Sequence, residues 1–520
     1  MKKFAALLLC LGLALSMSAC VAENRTFVPS GGQLVMDTPG DTDATIPAQY
    51  AEPQELTLTY YPKRSTNPFT CTDYTNRALF SLIYQGLFSV NSSYEAVPIL
   101  CSRYEVSQDL LTYTCHLADG AAFSDGTAMT IQDVLASYNA AKESVYYSGR
   151  FIHIETFRTS GSAIIFQLST PMEDLPILLD IPIVPAEQVN DPAPMGSGPY
   201  SLHSTITSGY LRRVADWWCQ GVVDLAVTAN SIPLISAESA TQIRDQFQFY
   251  DLDLVCANPC SDLYADFRCD YELWDCENGE MLFLACNVAH RSFFSSSGLR
   301  SLLTYAIDRE SLSEKYYQSF ARPVTLPAST YFPQYNTGLA EKYAYDPDHF
   351  KEALAGVARP DRPLVLLVNS DDTLRLQTAR DIASSLSELG LPTTVEAVDT
   401  SKFMARIQAG NYDLYLGSTR LSANMDLSAF FQPQGSLAYN GISSSSLYEL
   451  CLDALENHGN YYTLYQEVAE DGRIVPILFC GYAVYATRGT LSDLQPARDN
   501  VFFYTLGRTL QDALVAYNYS

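Results

Sequence analysis

An α/β fold of more than one domain is predicted by three observations. Strands and helices alternate between residues 363 and 416, which implies a parallel sheet with crossover helices. The chain beyond residue 54, about 465 residues, exceeds what one hydrophobic core accommodates. No segment after Cys20 approaches ~18 uninterrupted apolar residues, so the body is expected to be soluble.

The elements of the alternating region are a strand at 364–368, a helix at 374–389, a strand at 394–398, a helix at 402–409 and a strand at 413–416. In the first of these helices Ala379, Ile382, Ala383, Leu386 and Leu389 form one apolar stripe, and Gly390 followed by Pro392 ends it. The strand ends of such a sheet make a natural ligand edge.

The chain starts with Lys2 and Lys3, an apolar run over 4–15, and small residues up to Ala19 before Cys20. This is an export signal, too short to persist as a membrane span of roughly 20 residues. Ser18 and Ala19 ahead of Cys20 resemble a lipobox, in which cleavage leaves the cysteine N-terminal and diacylglycerol-modified; Met17 stands where leucine is usual. An ordinary secretory signal with an incidental cysteine is the alternative. Pro29, Gly31, Gly32, Pro39, Gly40, Pro47 and Pro53 make the following segment a flexible stalk.

Among the remaining elements, a strand is expected at 56–60, leading into the Asn67-Pro68 turn, and a helix at 75–87, with Leu79, Leu82 and Ile83 on one face and Gly86 at its stop. Strands at 103–106 and 111–117 form a hairpin about Ser107-Gln108-Asp109. A helix at 131–142 is capped by Thr130 with Asp133 in its first turn. A helix at 298–317 carries Leu299, Leu302, Leu303, Ala306 and Ile307 on its buried face and Asp308-Arg309-Glu310 on its solvated side.

A net charge of -26, from 58 acidic and 32 basic residues with no basic cluster, argues against nucleic acid as a partner. Of 13 cysteines, Cys10 and Cys20 belong to the leader; the odd remainder leaves at least one thiol unpaired. Cys101 and Cys115 flank the hairpin and are the disulfide candidate. Local bridges among Cys256, Cys260, Cys269, Cys276 and Cys286 are plausible, with connectivity open. Zinc is disfavoured there because no Cys-x-x-Cys pair and no histidine occurs in the stretch.

Several blocks then follow one another along the chain: Tyr84-Gln85-Gly86-Leu87, Pro98-Ile99-Leu100, Leu111-Thr112-Tyr113, His116-Leu117, Phe123-Ser124-Asp125-Gly126-Thr127, Thr130 through Tyr138, Gly196-Ser197-Gly198-Pro199-Tyr200, Trp217-Trp218 with Gly221, Asn287, Tyr305 through Arg309, and Tyr345-Asp346-Pro347. In order and spacing they resemble the peptide/nickel family of extracellular solute-binding proteins over roughly residues 55 to 515. The resemblance implies a two-lobed, type II periplasmic-binding-protein-like α/β fold with an additional subdomain beside lobe I. It divides the chain into a signal peptide at 1–19, a lipid-anchored stalk at 20–54, lobe I at 55–87, the subdomain at 88–190, lobe I again at 191–286, lobe II at 287–479 and a lobe I C-terminal segment at 480–520.

The implied function is capture of a small solute, an oligopeptide by family frequency, by hinge closure, and delivery to the permease subunits of an ABC importer. The protein is expected to be a monomer, lipid-anchored outside the cytoplasmic membrane through Cys20, with no cofactor. A ligand-presenting sensory lipoprotein and a carrier of a sugar or metal chelate are the alternatives. Six scattered histidines argue against direct metal ligation. The commonest hydrolase and phosphate-loop signatures are absent, so no enzyme is expected.

Peptide-binding members commonly carry a tryptophan and an acid after the strand matching 413–416. Here the loop reads Gly417-Ser418-Thr419-Arg420-Leu421-Ser422-Ala423-Asn424-Met425-Asp426. The ligand-binding candidates that the resemblance implies are Asn67, Arg420, Asn424 and Asp426. A turn at Asn67, a solvated loop position at Arg420 and a helix cap at Asp426 are their structural alternatives.

Overall fold

The computed structural model describes residues 55–205, 208–219, 225–258, 267–289, 292–492 and 494–516. Cys20 and the leader, the stalk, Gly221 and Cys260 lie outside the described residues.

Two long strands, Tyr271–Cys286 and Ile474–Thr487, pair antiparallel and tie the molecule together. Their inner stretches are apolar without alternation, as strands covered on both faces must be. Towards one end, Leu254–Ala257 pairs with residues 483–486. Towards the other, Leu414–Arg420 pairs with residues 280–286, followed by Leu364–Asn369 and Thr393–Val398 in parallel. One seven-stranded sheet therefore runs through both lobes. Between the lobes its ladder breaks: register jumps from Glu277 to Met281, and Gly279 takes φ +77°. This is a bulge, where a strand bends most readily.

The alternating region read from the sequence is present at 364–420. Helices Thr373–Glu388 and Thr400–Ala409 are capped by Asp372 and Asp399, and Gly410 ends the second at φ +72°. Ala379, Ile382 and Leu386 bury against Leu366, Val368 and Leu414. In lobe I a four-stranded sheet runs in the order Leu58–Tyr60, Ser231–Ser236, Gly209–Arg213, Tyr200–Ser204.

A five-stranded sheet containing the hairpin Cys101–Val106 and Thr112–Leu117 stands beside it, under helix Ile131–Glu143. The helix starts with a capping box between Thr130 and Asp133. Leu514–Ala516 adds a parallel strand to this second sheet, so the end of the chain ties the subdomain down. Among the described residues no helix is long and apolar enough to cross a membrane.

Two sequence expectations are corrected. The helix expected at 75–87 is two short turns, Tyr74–Arg77 and Phe80–Ile83, because the buried Asn76 side chain is drawn to the backbone of Tyr61. The helix expected at 298–317 breaks at Ile307 (φ -109°, ψ 109°), where Asp308 caps a new helix, Arg309–Tyr317. Arg309 is not solvated: its buried guanidinium donates to the carbonyls of Pro476, Thr304 and Ile307, stapling the break to the second long strand. Burial pushes it down to about 10.

Most of the ordered motif residues serve the scaffold. A Cβ on Gly198 would lie 2.5 Å from the Leu82 carbonyl. Trp217 donates to Ser197 O (2.9 Å), and Asn287 to the carbonyls of Gly410 and Tyr412.

Candidate functional site

Where the lobes face each other at the ladder break, a cavity of about 420 Å³ opens. Lobe I contributes Tyr61, Asp73, Tyr74 and Asn258; the long strands contribute Asn278, Glu280, Cys480 and Tyr482; lobe II contributes Tyr317, Asp372, Arg375 and Ser418. Tyr74 is 40 % exposed, large for an aromatic set inside a fold. Arg375 sits at the start of helix Thr373–Glu388 and is held towards the cavity by Ser418 Oγ (2.9 Å), Asp372 (3.2 Å) and Glu280 (3.6 Å). Aromatic walls with a few charges of both signs are what orient a small polar ligand.

Behind Tyr74 and Tyr482, whose rings are 5.5 Å apart edge to face, four guanidiniums meet two carboxylates. Asp499 is the hub. It accepts from Tyr146 Oη (2.6 Å), from Arg420, and from Arg150 (3.4 Å). Arg150 also pairs with Asp180. Arg420 donates to Asn278 O (2.8 Å) and lies 4.5 Å over the Tyr146 ring, while Arg77 lies 3.2 Å over its centroid. Burial disfavours charge on Asp499, but Arg420, Arg498 and Arg150 outweigh it and hold the carboxyl well below its ordinary range. Arg77, Tyr146, Arg150, Asp180, Arg420, Arg498 and Asp499, far apart along the chain, all reach this cluster.

Of the sequence candidates, Arg420 comes nearest the cavity without lining it: it donates to the carbonyl of Asn278, a wall residue, and its head is taken up by Asp499. Asn67 is 1 % exposed and donates to the carbonyls of Val189 (2.9 Å) and Asp191 (2.7 Å); its own carbonyl accepts the amides of Thr70 and Cys71. It is the turn. Asn424 is buried, its carbonyl accepting Tyr461 Oη at 2.6 Å. Asp426 caps the Ser428 amide (2.8 Å) and meets His153 of the subdomain at 3.0 Å, with both side chains buried. Cys101 and Cys115 are unbonded thiols, fully buried and in hydrogen-bonding contact, offset because Cys115 pairs with Tyr104 and Cys101 with Leu117. Cys256, Cys269, Cys276 and Cys286 are likewise free thiols. Among the described residues no group of three His, Cys, Asp or Glu side chains is placed to hold a metal ion.

Tyr74, Arg77, Arg375, Arg498 and Asp499 were missed from the sequence. They lie on short turns, a helix start and a C-terminal loop, where no periodicity or motif singles them out.

Two lobes joined by a bulged pair of strands around a mixed polar and aromatic cavity define a two-lobed binding protein. The family model for bacterial extracellular solute-binding proteins, family 5 (middle), matches residues 95–441. The chain belongs to that family, and its function is that of the solute-binding component of an ABC importer. It is 23 % identical over 365 residues to the glutathione-binding protein GsiB of Escherichia coli (strain K12), covering 66 % of this chain and 69 % of that one. The fold is similar to the ABC transporter substrate-binding protein CtaP of Listeria monocytogenes, with TM-score 0.71, 17 % identity and coverage of 87 % and 98 % of the two chains. It is also similar to the oligopeptide-binding protein AppA of Bacillus subtilis in complex with a nonapeptide, with TM-score 0.61, 18 % identity and coverage of 88 % and 100 %.

Proposed function

We propose that the protein is a monomeric lipoprotein, tethered outside the cytoplasmic membrane through Cys20, that binds a short peptide or peptide-like solute between its lobes without turning it over and passes it to permease subunits. The observation that carries the ligand class is the cavity at the ladder break, bounded by both lobes and equipped with Asp73, Glu280 and Asp372 for an ammonium and with Arg375 for a carboxylate. The relatives that bind glutathione and a nonapeptide support a peptide-sized ligand. Because both lobes line the cavity, the ligand stabilises the arrangement in which they approach. The tether follows from the leader, since diacylglycerol and acyl chains on a cysteine contribute about 0.8 kcal/mol per buried methylene.

The ligand class is tested by thermal shift on residues 22–520 across peptides, amino acids, oligosaccharides, metal chelates and polyamines. Saturable stabilisation by short peptides is expected, about 2.7 kcal/mol at 100 times the dissociation constant. A response confined to sugars or polyamines sinks the peptide reading. Cys20→Ala is expected to release the protein from the membrane fraction. In an exported protein the contacting thiols Cys101 and Cys115 are expected to oxidise to a bridge, and finding both free by peptide mapping without reduction counts against it.

A further inference from the structure

The arginine cluster carries more positive charge than its carboxylates neutralise. Arg77, Arg150, Arg420 and Arg498 face Asp180 and Asp499. The surplus concentrates on Arg498, which is 6 % exposed. Its Nη2 donates to the Leu421 carbonyl, while Nε and Nη1 have no hydrogen-bond partner. The nearest carboxylate oxygen, on Asp499, is 3.8 Å from Nε and already serves Arg150. A guanidinium cannot shed its proton to escape burial, so such donors are costly unless something accepts from them.

Arg498 borders a small cavity of about 20 Å³ lined by Tyr74, Arg77, Tyr146, Tyr482 and Asp499, room for one oxygen-sized group. Tyr74 and Tyr482 are also walls of the 420 Å³ cavity, so the small space lies next to it, across these two rings. The glycine at 279 keeps this geometry possible: a Cβ there would lie 2.5 Å from the Arg498 guanidinium carbon.

We infer that Arg498 is the anion-reading residue of the cleft: a carboxylate of the bound solute accepts from the donors it leaves unpartnered, beside Tyr74 and Arg77, so the solute is a carboxylic acid. This rests on the cleft being the ligand site and adds a chemical class to it. The chain's overall charge of -26 repels an acid at long range, which makes a local cationic recess the means of holding one.

Two measurements on residues 22–520 test it. In the first, ligand-free wild type, Arg498→Met and Arg498→Lys are melted with and without acetate. Arg498→Met is expected to melt above wild type, having lost an uncompensated buried charge, and acetate is expected to raise the melting temperature of wild type only. A lower melting temperature for Arg498→Met together with no acetate effect on wild type overturns the inference. If Arg498→Met does not fold, the acetate response of wild type against Arg498→Lys, which keeps the charge without the fork, decides.

In the second, tri-alanine, Ala-Glu-Ala and Ala-Tyr-Ala are titrated as free acids and as C-terminal amides. Wild type is expected to prefer acid to amide by at least about tenfold, as for a charge-assisted pair, and Arg498→Met to bind both alike. Equal binding of acid and amide by wild type overturns the assignment even if acetate binds, since the recess is then a structural anion site. If no peptide binds in either form, the peptide reading fails and the acetate comparison alone decides whether Arg498 reads an anion.

Discussion

At the scale of single residues, the contact of Asp426 with His153 shows a loop residue acting as a joint between lobe II and the subdomain. Burial by itself would raise the carboxyl, but the hydrogen bond and charge of His153 and the bonds from Ser428 outweigh it, and Asp426 sits below the ordinary carboxylate range. A depressed carboxyl contributes stability that is complete above its unfolded value, about 3.9, and is lost as pH falls through the folded value. Asp426→Asn is therefore expected to cost roughly 3 kcal/mol at pH 7 in urea unfolding, with the difference from wild type shrinking below pH ~4. A loss that is the same at every pH would mean that packing, and not charge, makes the joint. Asp499→Asn is expected to be at least as damaging, because it strands Arg420, Arg150 and Arg498 without their shared counter-ion.

At the scale of elements, the first long strand carries its own pH sensitivity at the hinge. Glu277 is buried one residue before the ladder breaks, accepting from Tyr94 Oη (3.1 Å) and Ser329 Oγ. Desolvation pushes it up to about 7, against the opposing effects of Ser329, Arg322 and Tyr94. Between its ordinary 4.5 and about 7 the folded state holds a proton that the unfolded state has released, so stability falls as pH rises through that window. Glu277→Gln is expected to flatten the fall: near wild type at pH 5, and more stable by about 1–3 kcal/mol at pH 8. A variant that is less stable than wild type at pH 8 would mean that the ionised carboxylate is needed by Arg322, 3.7 Å away. Two residues on, Gly279→Ala would force a left-handed backbone on a β-carbon and drive it into Arg498. It is expected to cost at least about 1–2 kcal/mol in melting and to weaken ligand binding together with Arg498.

At the scale of the whole molecule, the bulged strand pair is the natural axis for the lobes, since it is where a sheet common to both is least regular. A saturating ligand is expected to lower the radius of gyration in small-angle scattering and to slow amide exchange at residues 278–281. An unchanged radius with ligand bound would make the cleft a rigid site. The sequence by itself determined the class of this fold and most of its elements. The alternating region at 363–416, the hairpin and the capped helix at Thr130 fall within a few residues of where periodicity and capping put them, because those signals are local. The ordered motif blocks carried the family, yet Gly198, Trp217, Asn287 and Arg309 turn out to hold the scaffold together. Only the tertiary structure decided the site. Tyr74, Arg150, Arg375, Arg420, Arg498 and Asp499 come from parts of the chain hundreds of residues apart, and their joint charge, burial and unpartnered donors exist only once the lobes and subdomain meet.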